Sequence, residues 1–416
     1  MLSPADILFA LIHFMWIAFA FLSVLQNRRH ARRFLRLPRA ELLEFQPPAV
    51  IIMPIKGIDR DLPGCIASLC RQAYPDYRVI IVVESESDPA YPILLEELAK
   101  HPQRKSSVMV AGQAAENEGQ KVHNQLHVLR AILPALADDD VIAFADSDAI
   151  PGPAWLSLMV ARLATGSAAV TTGYRWMIPD PARPATIWSH IASVINGSVA
   201  AAHRPSDADQ AWGGAMAMRV STARKGDLIG RLVGALTDDY PITKMCRDLG
   251  MIVRYVPRCL AATPVDFSLR SFWTFARRQY VITRIYSPGV FWFALFVLTF
   301  WIVGFITAWT RLITGLAAPD PMNQLSVWLP AAIAIVIVFI CHQLRSHHRT
   351  QTIRNAFGQS MVDQLRTTLR VDRWLTPAWM TVHWLIALTS LSSNRFSWRG
   401  CRYQLDGPNR VKRLNG

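Results

Sequence analysis

Two aspartates one residue apart close an apolar run, Val141-Ile-Ala-Phe-Ala-Asp-Ser-Asp-Ala-Ile150. In an extended chain residues i and i+2 point the same way, so Asp146 and Asp148 can converge on one divalent cation and, through it, on a diphosphate. A second carboxylate pair stands downstream in Leu236-Thr-Asp-Asp-Tyr240, ahead of an amphipathic segment running through Met245 to Leu249. Taken alone, Asp238 and Asp239 read more plainly as a helix N-cap with a first-turn acid. Further charge falls where apolar runs end: Lys56-Gly57 follows Val50-Ile-Ile-Met53 and Pro54, and Glu84-Ser-Glu86-Ser-Asp88 follows the run 77–83. Lys121, His123 and Asn124 open a helical pattern, and a cation with two hydrogen-bonding side chains near a helix amino terminus suits a diphosphate.

The elements that must position these residues alternate short apolar runs with helical segments, the rhythm of a mostly parallel sheet covered by helices. Strands are expected over 50–53, 77–83, 108–111 and 141–145. Helices are expected over 62–72, with Pro63 and Gly64 near its start and Ile66, Leu69 and Cys70 on one face, and over 120–136. In such a sheet the carboxyl ends of strands and the amino ends of helices face one crevice, where ligands bind. Between the carboxylate pairs lies Trp212-Gly-Gly-Ala-Met-Ala-Met218-Arg219. Its glycines permit close backbone approach and its Trp and Met side chains offer a soft apolar wall; a buried strand after a glycine turn fits it equally.

Composition sets these elements against a membrane. The 416 residues are 51% hydrophobic, too apolar for an ordinary soluble enzyme. A first span is expected over 7–25, followed at once by Arg28, Arg29, Arg32, Arg33 and Arg36, which places the downstream domain in the cytoplasm. The start lacks a basic n-region and no small-x-small cleavage site follows, so an anchor is read rather than a signal peptide. Apolar blocks at 290–309 and 328–341 cross by length. A third, 374–391, contains no charge and leans toward spanning, which would leave the basic tail 395–413 on the far side; lying in the interface instead, it would keep the tail inside. The net charge of +14 clusters beside the apolar blocks, which points to anionic headgroups and excludes a nucleic-acid patch. Six dispersed cysteines without a CxxC pair argue against zinc and fit a reducing compartment. The expected organisation is an anchor at 1–26, a basic linker at 27–48, an α/β domain at 49–266, an interfacial basic and aromatic helix at 267–288, and a membrane region with two to three spans at 289–416.

With these residues in hand the chain resembles the inverting nucleotide-sugar glycosyltransferases of the family 2 type, and more narrowly the ceramide glucosyltransferases of family 21. The resemblance runs from about 50 to 289 and rests on Val82-Val-Glu-Ser-Glu-Ser-Asp-Pro-Ala90, Gln120-Lys-Val-His-Asn-Gln-Leu126, Asp146-Ser-Asp148 and Leu236-Thr-Asp-Asp-Tyr240. It implies a GT-A, Rossmann-like fold inserted between terminal membrane helices. It also implies transfer of a hexosyl group from a UDP-sugar to a membrane lipid hydroxyl, ceramide first. By the same resemblance Asp239 is the general base and Asp238 its support, while Asp146 and Asp148 hold Mg²⁺ or Mn²⁺. Pro54, Lys56, Glu84, Glu86, Lys121, His123, Asn124 and Asp146 would contact the nucleotide-sugar. Trp212, Gly213, Gly214, Gln279 and Tyr280 would form the acceptor side. The sequence departs from the family's pattern twice: Ser85 stands where an aspartate is usual, and Gln279-Tyr280 stands where Arg-Trp is usual, with Arg277, Arg278 or Arg284 as replacement cations. The helical pattern of Ile187, Trp188, Ile191, Ile195 and Val199 is read as interfacial or core-facing. A processive polysaccharide synthase and a non-catalytic binding protein are the alternatives, and a bacterial inner membrane is the expected setting.

Overall fold

The protein is described from a computed structural model that covers residues 4–35, 43–166, 168–203 and 209–414; Arg36 and much of the linker lie outside them. The chain divides into two compact units, one of helices (1–35, 190–202 and 269–393) and one built on sheets (36–189, 203–268 and 394–416).

In the sheet unit β1 (Ala49–Pro54), α2 (Leu62–Cys70), β2 (Tyr77–Val83), α3 (Tyr91–Ala99), β3 (Ser106–Val110), α4 (Gln120–Ile132) and β4 (Val141–Ala145) follow the helical anchor α1 (Pro4–Arg33). Next come α5 (Trp155–Ala161), β5 (Ala168–Pro179), α6 (Ile187–Ala202), β6 (Ala215–Arg219), α7 (Val220–Lys225), α8 (Leu228–Leu232), α9 (Asp239–Asp248) and β7 (Ile252–Val265). The seven strands lie in the order β3-β2-β1-β4-β6-β5-β7, and β6 alone runs against its neighbours. Strands β1 and β4 are buried along their whole length, as a sheet covered on both faces requires. Alternate residues supply the two faces. Ile51, Met53, Val79 and Ile81 pack with Cys65, Ile66 and Leu69 of α2, while Val50, Ile52, Ile80 and Val82 pack with Val122, Leu126 and Leu129 of α4. Each such fully buried aliphatic side chain stabilises the unit by roughly 1.5–3 kcal/mol. The expected strands at 50–53, 77–83 and 141–145 are present; the third is displaced toward the amino end, and β5, β6 and β7 complete the sheet.

The helical unit holds α1, most of α6, and then α10 (Leu269–Tyr286), α11 (Pro288–Leu316), α12 (Leu325–Phe357), α13 (Gln359–Gln364), α14 (Arg366–Trp374) and α15 (Thr376–Thr389). Three of these, α1, α11 and α12, with 30, 29 and 33 residues, are long and apolar enough to cross a membrane. The block expected to cross at 374–391 does not have the length: α15 has 14 residues, about 21 Å of helix against a hydrocarbon core of about 30 Å. Inside this unit Arg345 and Arg349 share the buried carboxylate of Asp372, and Arg349 also bonds Asn27, the Val194 carbonyl and Ser198. These bonds fix α6, α1 and α14 around α12; of the apolar stripe of α6, Ile191 is buried while Ile187 and Val199 are exposed.

The basic tail is a folded element. Strands β8 (Arg395–Trp398), β9 (Cys401–Gly407) and β10 (Arg410–Leu414) make an antiparallel sheet that belongs to the sheet unit. The Gln120 amide donates to Tyr403 Oη at 3.5 Å, the Arg413 amide to the Glu116 carbonyl at 2.6 Å, and Asn409 Nδ2 to the Arg231 carbonyl at 2.9 Å. The tail therefore packs with the seven-stranded sheet, in keeping with the alternative in which the block 374–391 does not span.

Candidate active site

The strand order reverses between β1 and β4: the chain builds outward from β1 through β2 to β3, then returns to place β4 on β1's other edge. Parallel sheets leave a crevice beyond the carboxyl ends of the two strands at such a switch. Here those ends carry Pro54 to Asp59 and Asp146 to Asp148. Because β6 runs the other way, its first residue pairs with the last of β4, Ala215 with Ala145. The Trp212-Gly213-Gly214 turn is thereby delivered to the same crevice, and the Asp146 amide donates to the Gly214 carbonyl at 3.3 Å.

Strand β4 ends at Ala145, so Asp146 and Asp148 lie in a turn and not in the extended chain that the spacing argument assumed. Ser147 Oγ donates to Asp59 Oδ2 at 2.5 Å. Lys121 Nζ, from the first turn of α4, stands 2.8 Å from Asp146 Oδ1 and 3.1 Å from Asp238 Oδ1, joining the two carboxylate pairs. Burial alone would lower the Lys121 pKa; the carboxylates of Asp146 and Asp238 outweigh it and hold the ammonium well above its usual value. Arg175 reaches Asp148 Oδ2 at 3.4 Å, whereas Asp148 Oδ1 is buried with no hydrogen-bond partner. Burial raises the Asp148 carboxyl to about 6, Arg175 opposes the shift, and Asp146 adds to it.

Asp238 occupies the N-cap position of α9 but makes no capping bond. Its fully buried carboxylate accepts from Lys121 and from Gln125 Nε2 at 2.5 Å, so the plain capping reading fails. A Cβ on Gly213 would sit 2.1 Å from Asp238 Oδ1, and this explains the glycine. Asp239 Oδ1 accepts from Thr237 Oγ1 at 2.6 Å and from the Tyr240 amide at 2.8 Å, and its other oxygen has no partner among the described residues. Burial and then the neighbouring Asp238 raise the Asp239 carboxyl to about 6, against the hydrogen bond from Thr237. A partly exposed carboxylate with a free oxygen and a raised pKa can accept a proton near neutral pH.

A family model described as glycosyl transferase family 21 matches residues 8–411. The chain belongs to glycosyl transferase family 21. Among curated proteins, this family 21 chain is similar to the ceramide glucosyltransferases of Komagataella phaffii, at 42% identity over 60 residues, and of Gibberella zeae, at 36% over 73 residues. These matches span 14% and 17% of the chain and only 12% and 14% of the relatives' lengths. Among solved structures it is similar to a mannosyltransferase from Pyrobaculum calidifontis in complex with GDP-Man and Mn²⁺, with 15% identity, a TM-score of 0.45, and coverage of 92% of this chain and 99% of that one.

The other expected residues of the family 21 chain fall into two groups. Lys56 ion-pairs with Glu84, joining the ends of β1 and β2 beside Pro54. Asp88 accepts from the Gly57 and Ala90 amides, so it shapes the β1 loop, and Glu86 accepts from Tyr91 Oη at 3.4 Å. Ser85 hydrogen-bonds Ser87. His123 has both ring nitrogens engaged, with Glu118 at 2.8 Å and the Ala111 carbonyl at 3.0 Å. Asn124 is buried, accepts from Gln120 and donates to the carbonyls of Val82 and Ile55. These two residues tie α4 to the strand ends, while Lys121 and Gln125 of the same segment reach the carboxylates. Gln279 and Tyr280 belong to the helical unit, where Tyr280 hydrogen-bonds His383 and packs on Phe291.

Sequence reasoning missed four side chains here. Gln125 holds Asp238. Arg175 pairs with Asp148 and lies over the Trp212 ring, 5.6 Å from its centroid. Tyr174 packs edge-on against Trp212 at 5.4 Å, extending the apolar wall. Arg399, at the β8–β9 hairpin tip with φ 51, ion-pairs with Asp59 and so with the residue that anchors Ser147. The signal that could have found Arg399 is the Arg-Gly pair between two short alternating runs, a hairpin turn in which both residues take positive φ.

Proposed function

We propose that this glycosyltransferase moves a hexosyl group from a UDP-sugar to the hydroxyl of a membrane lipid, ceramide first, with inversion at the anomeric carbon. The observation that carries the reading is Lys121 bridging Asp146 to Asp238, which sets a diphosphate-type site and an open carboxylate, Asp239, on one crevice. Asp239 takes the proton from the acceptor hydroxyl as it attacks. Lys121 and Arg399 stand where negative charge grows on the departing diphosphate, and Trp212 with Tyr174 forms the wall on which the sugar or acceptor rests.

The donor set fits Mg²⁺ or Mn²⁺. Asp148 Oδ1 is buried without a partner, and Asp146 offers its second oxygen. Five carboxylates, Asp59, Asp146, Asp148, Asp238 and Asp239, share the three cations Lys121, Arg175 and Arg399, a deficit of two positive charges. Among the described residues no third His, Cys, Asp or Glu completes a closed cage. An open two-carboxylate site of this kind leaves room for water and phosphate oxygens, as Mg²⁺ prefers. A bound cation would neutralise charge on the leaving diphosphate. The arginines at 28–33 support a cytoplasmic catalytic unit by the positive-inside rule.

Membranes holding the protein, incubated with labelled UDP-sugars and ceramide, diacylglycerol or no lipid, test the reading. The expected result is an organic-soluble product that needs ceramide and is lost in a chelator. An insoluble polymer formed without added lipid would make the enzyme a polysaccharide synthase.

A further inference from the structure

The helical unit contains a groove of about 740 Å³ between α1 and α12 that plays no part in the site above. The helices run parallel there, since Asn27 bonds Arg349 and the Ala31 carbonyl bonds Asn355, pairing residues in the same order on both. On α1 the lining residues Phe21, Leu25, Arg28 and Arg32 recur at the three- and four-residue spacing of one helix face. Phe21 and Leu25 precede Arg28 and Arg32, and Leu35 follows beyond them. The opposite wall runs from Leu344 down to Arg354. From Phe21 to Arg32 the stripe runs about 16 Å, roughly the reach from an upper acyl chain to its headgroup.

No Asp or Glu lines the groove, and Arg28 and Arg32 are exposed without an ion-pair or hydrogen-bond partner among the described residues. Behind the wall, Arg345 and Arg349 share the single carboxylate of Asp372, which adds one uncompensated positive charge on the same helix. Three guanidiniums bordering an apolar trough at the cytoplasmic end of two spanning helices have one natural complement in a bilayer. We propose that the groove binds a single anionic glycerophospholipid, with an acyl chain against Phe21, Leu25 and Leu344 and the phosphate on Arg28, Arg32 and Arg354. A neutral acceptor such as ceramide offers these cations nothing, so the groove is a structural or regulatory lipid site separate from the acceptor site. The proposal does not depend on which sugar or acceptor the enzyme uses.

Native mass spectrometry of the full chain in neutral detergent, titrated with dioctanoyl phosphatidylglycerol or dioctanoyl phosphatidylcholine, tests it. The expected result is one tightly bound phosphatidylglycerol, with phosphatidylcholine at least 10-fold weaker. Arg28→Gln/Arg32→Gln should bind phosphatidylglycerol about 30-fold more weakly, while the charge-matched control Arg29→Gln/Arg370→Gln, whose arginines do not line the groove, keeps wild-type affinity. Leu25→Trp, which fills the apolar half and leaves every cation in place, should also weaken binding. Equal affinity for the two lipids, an unchanged groove double variant, an equal loss in the control, or glycerol 3-phosphate binding as tightly as the lipid would overturn the proposal.

Discussion

Asp239 gives one oxygen to Thr237 and the Tyr240 amide and keeps the other open, and this division makes two measurements decisive. Asp239→Asn should remove product by at least 10³-fold in kcat while leaving UDP binding within about 3-fold, read by turnover assay and calorimetry. In the wild type the base works only when ionised, so kcat/KM should fall with decreasing pH below about 6. Normal turnover at pH 5 would exclude Asp239 as the base. The same shift bears on stability. Asp148 is raised from 3.8 to about 6, so the native state holds its proton more tightly than the unfolded chain. Its ionisation therefore costs stability as pH rises from about 4 to 6, and the cost is complete above that. Without metal, Asp148→Asn should stabilise the protein at pH 7.5 by on the order of 1 kcal/mol and by almost nothing at pH 4, checked by thermal melting. At this scale the structure brings Lys121 and both Asp pairs together, and the sequence hinted at this only through several charged clusters falling at successive ends of apolar runs. The partners of His123 and Asn124, a loop glutamate and strand-end carbonyls, were not legible because they leave no local pattern.

Strand β6 and the tail sheet show what elements add. Reversing one strand brings the Trp212-Gly213-Gly214 turn against β4's end, and its close approach tolerates no side chain at 213. Gly213→Ala should lower kcat/KM by roughly 100-fold by displacing Asp238, with little change in melting temperature if the turn yields. Arg399→Ala should cost roughly 10- to 100-fold in kcat/KM, and Arg399→Lys should recover part of it; kinetics unchanged in both would reduce Arg399 to a tether. The strands at 50–53, 77–83 and 141–145 were legible from apolar runs between breakers. The tail was not, because its alternation is carried by short, arginine-rich strands whose buried residues, Phe396, Cys401, Tyr403, Leu405 and Val411, resemble scattered hydrophobes until paired.

For the whole molecule, three helices long and apolar enough to span, with the tail folded beside the seven-stranded sheet, lead to the prediction that α11 and α12 cross out and back and that α15 does not cross. A cysteine placed at Lys412 should react with an impermeant maleimide from the face that exposes the catalytic unit, and one at Asp320, between α11 and α12, from the opposite face. The six native cysteines are free and buried, so background labelling should be low. Labelling of both from one face would break this topology. The membrane helices were legible from apolar length; the third block failed because a chargeless run says nothing about where its helix begins and ends.

Asp59 and Arg399 are separated by 340 residues. At roughly 5–20 residues per second of synthesis, the aspartate leaves the ribosome about 20–70 s before its partner exists. Two of the three candidate membrane helices, α11 and α12, emerge in between. A translation product that stops short, or whose helices are threaded in the wrong sense, never brings the hairpin to the crevice. Maturation of the donor site is thus tied to correct membrane insertion, and misinserted chains would be inactive without any separate quality-control step.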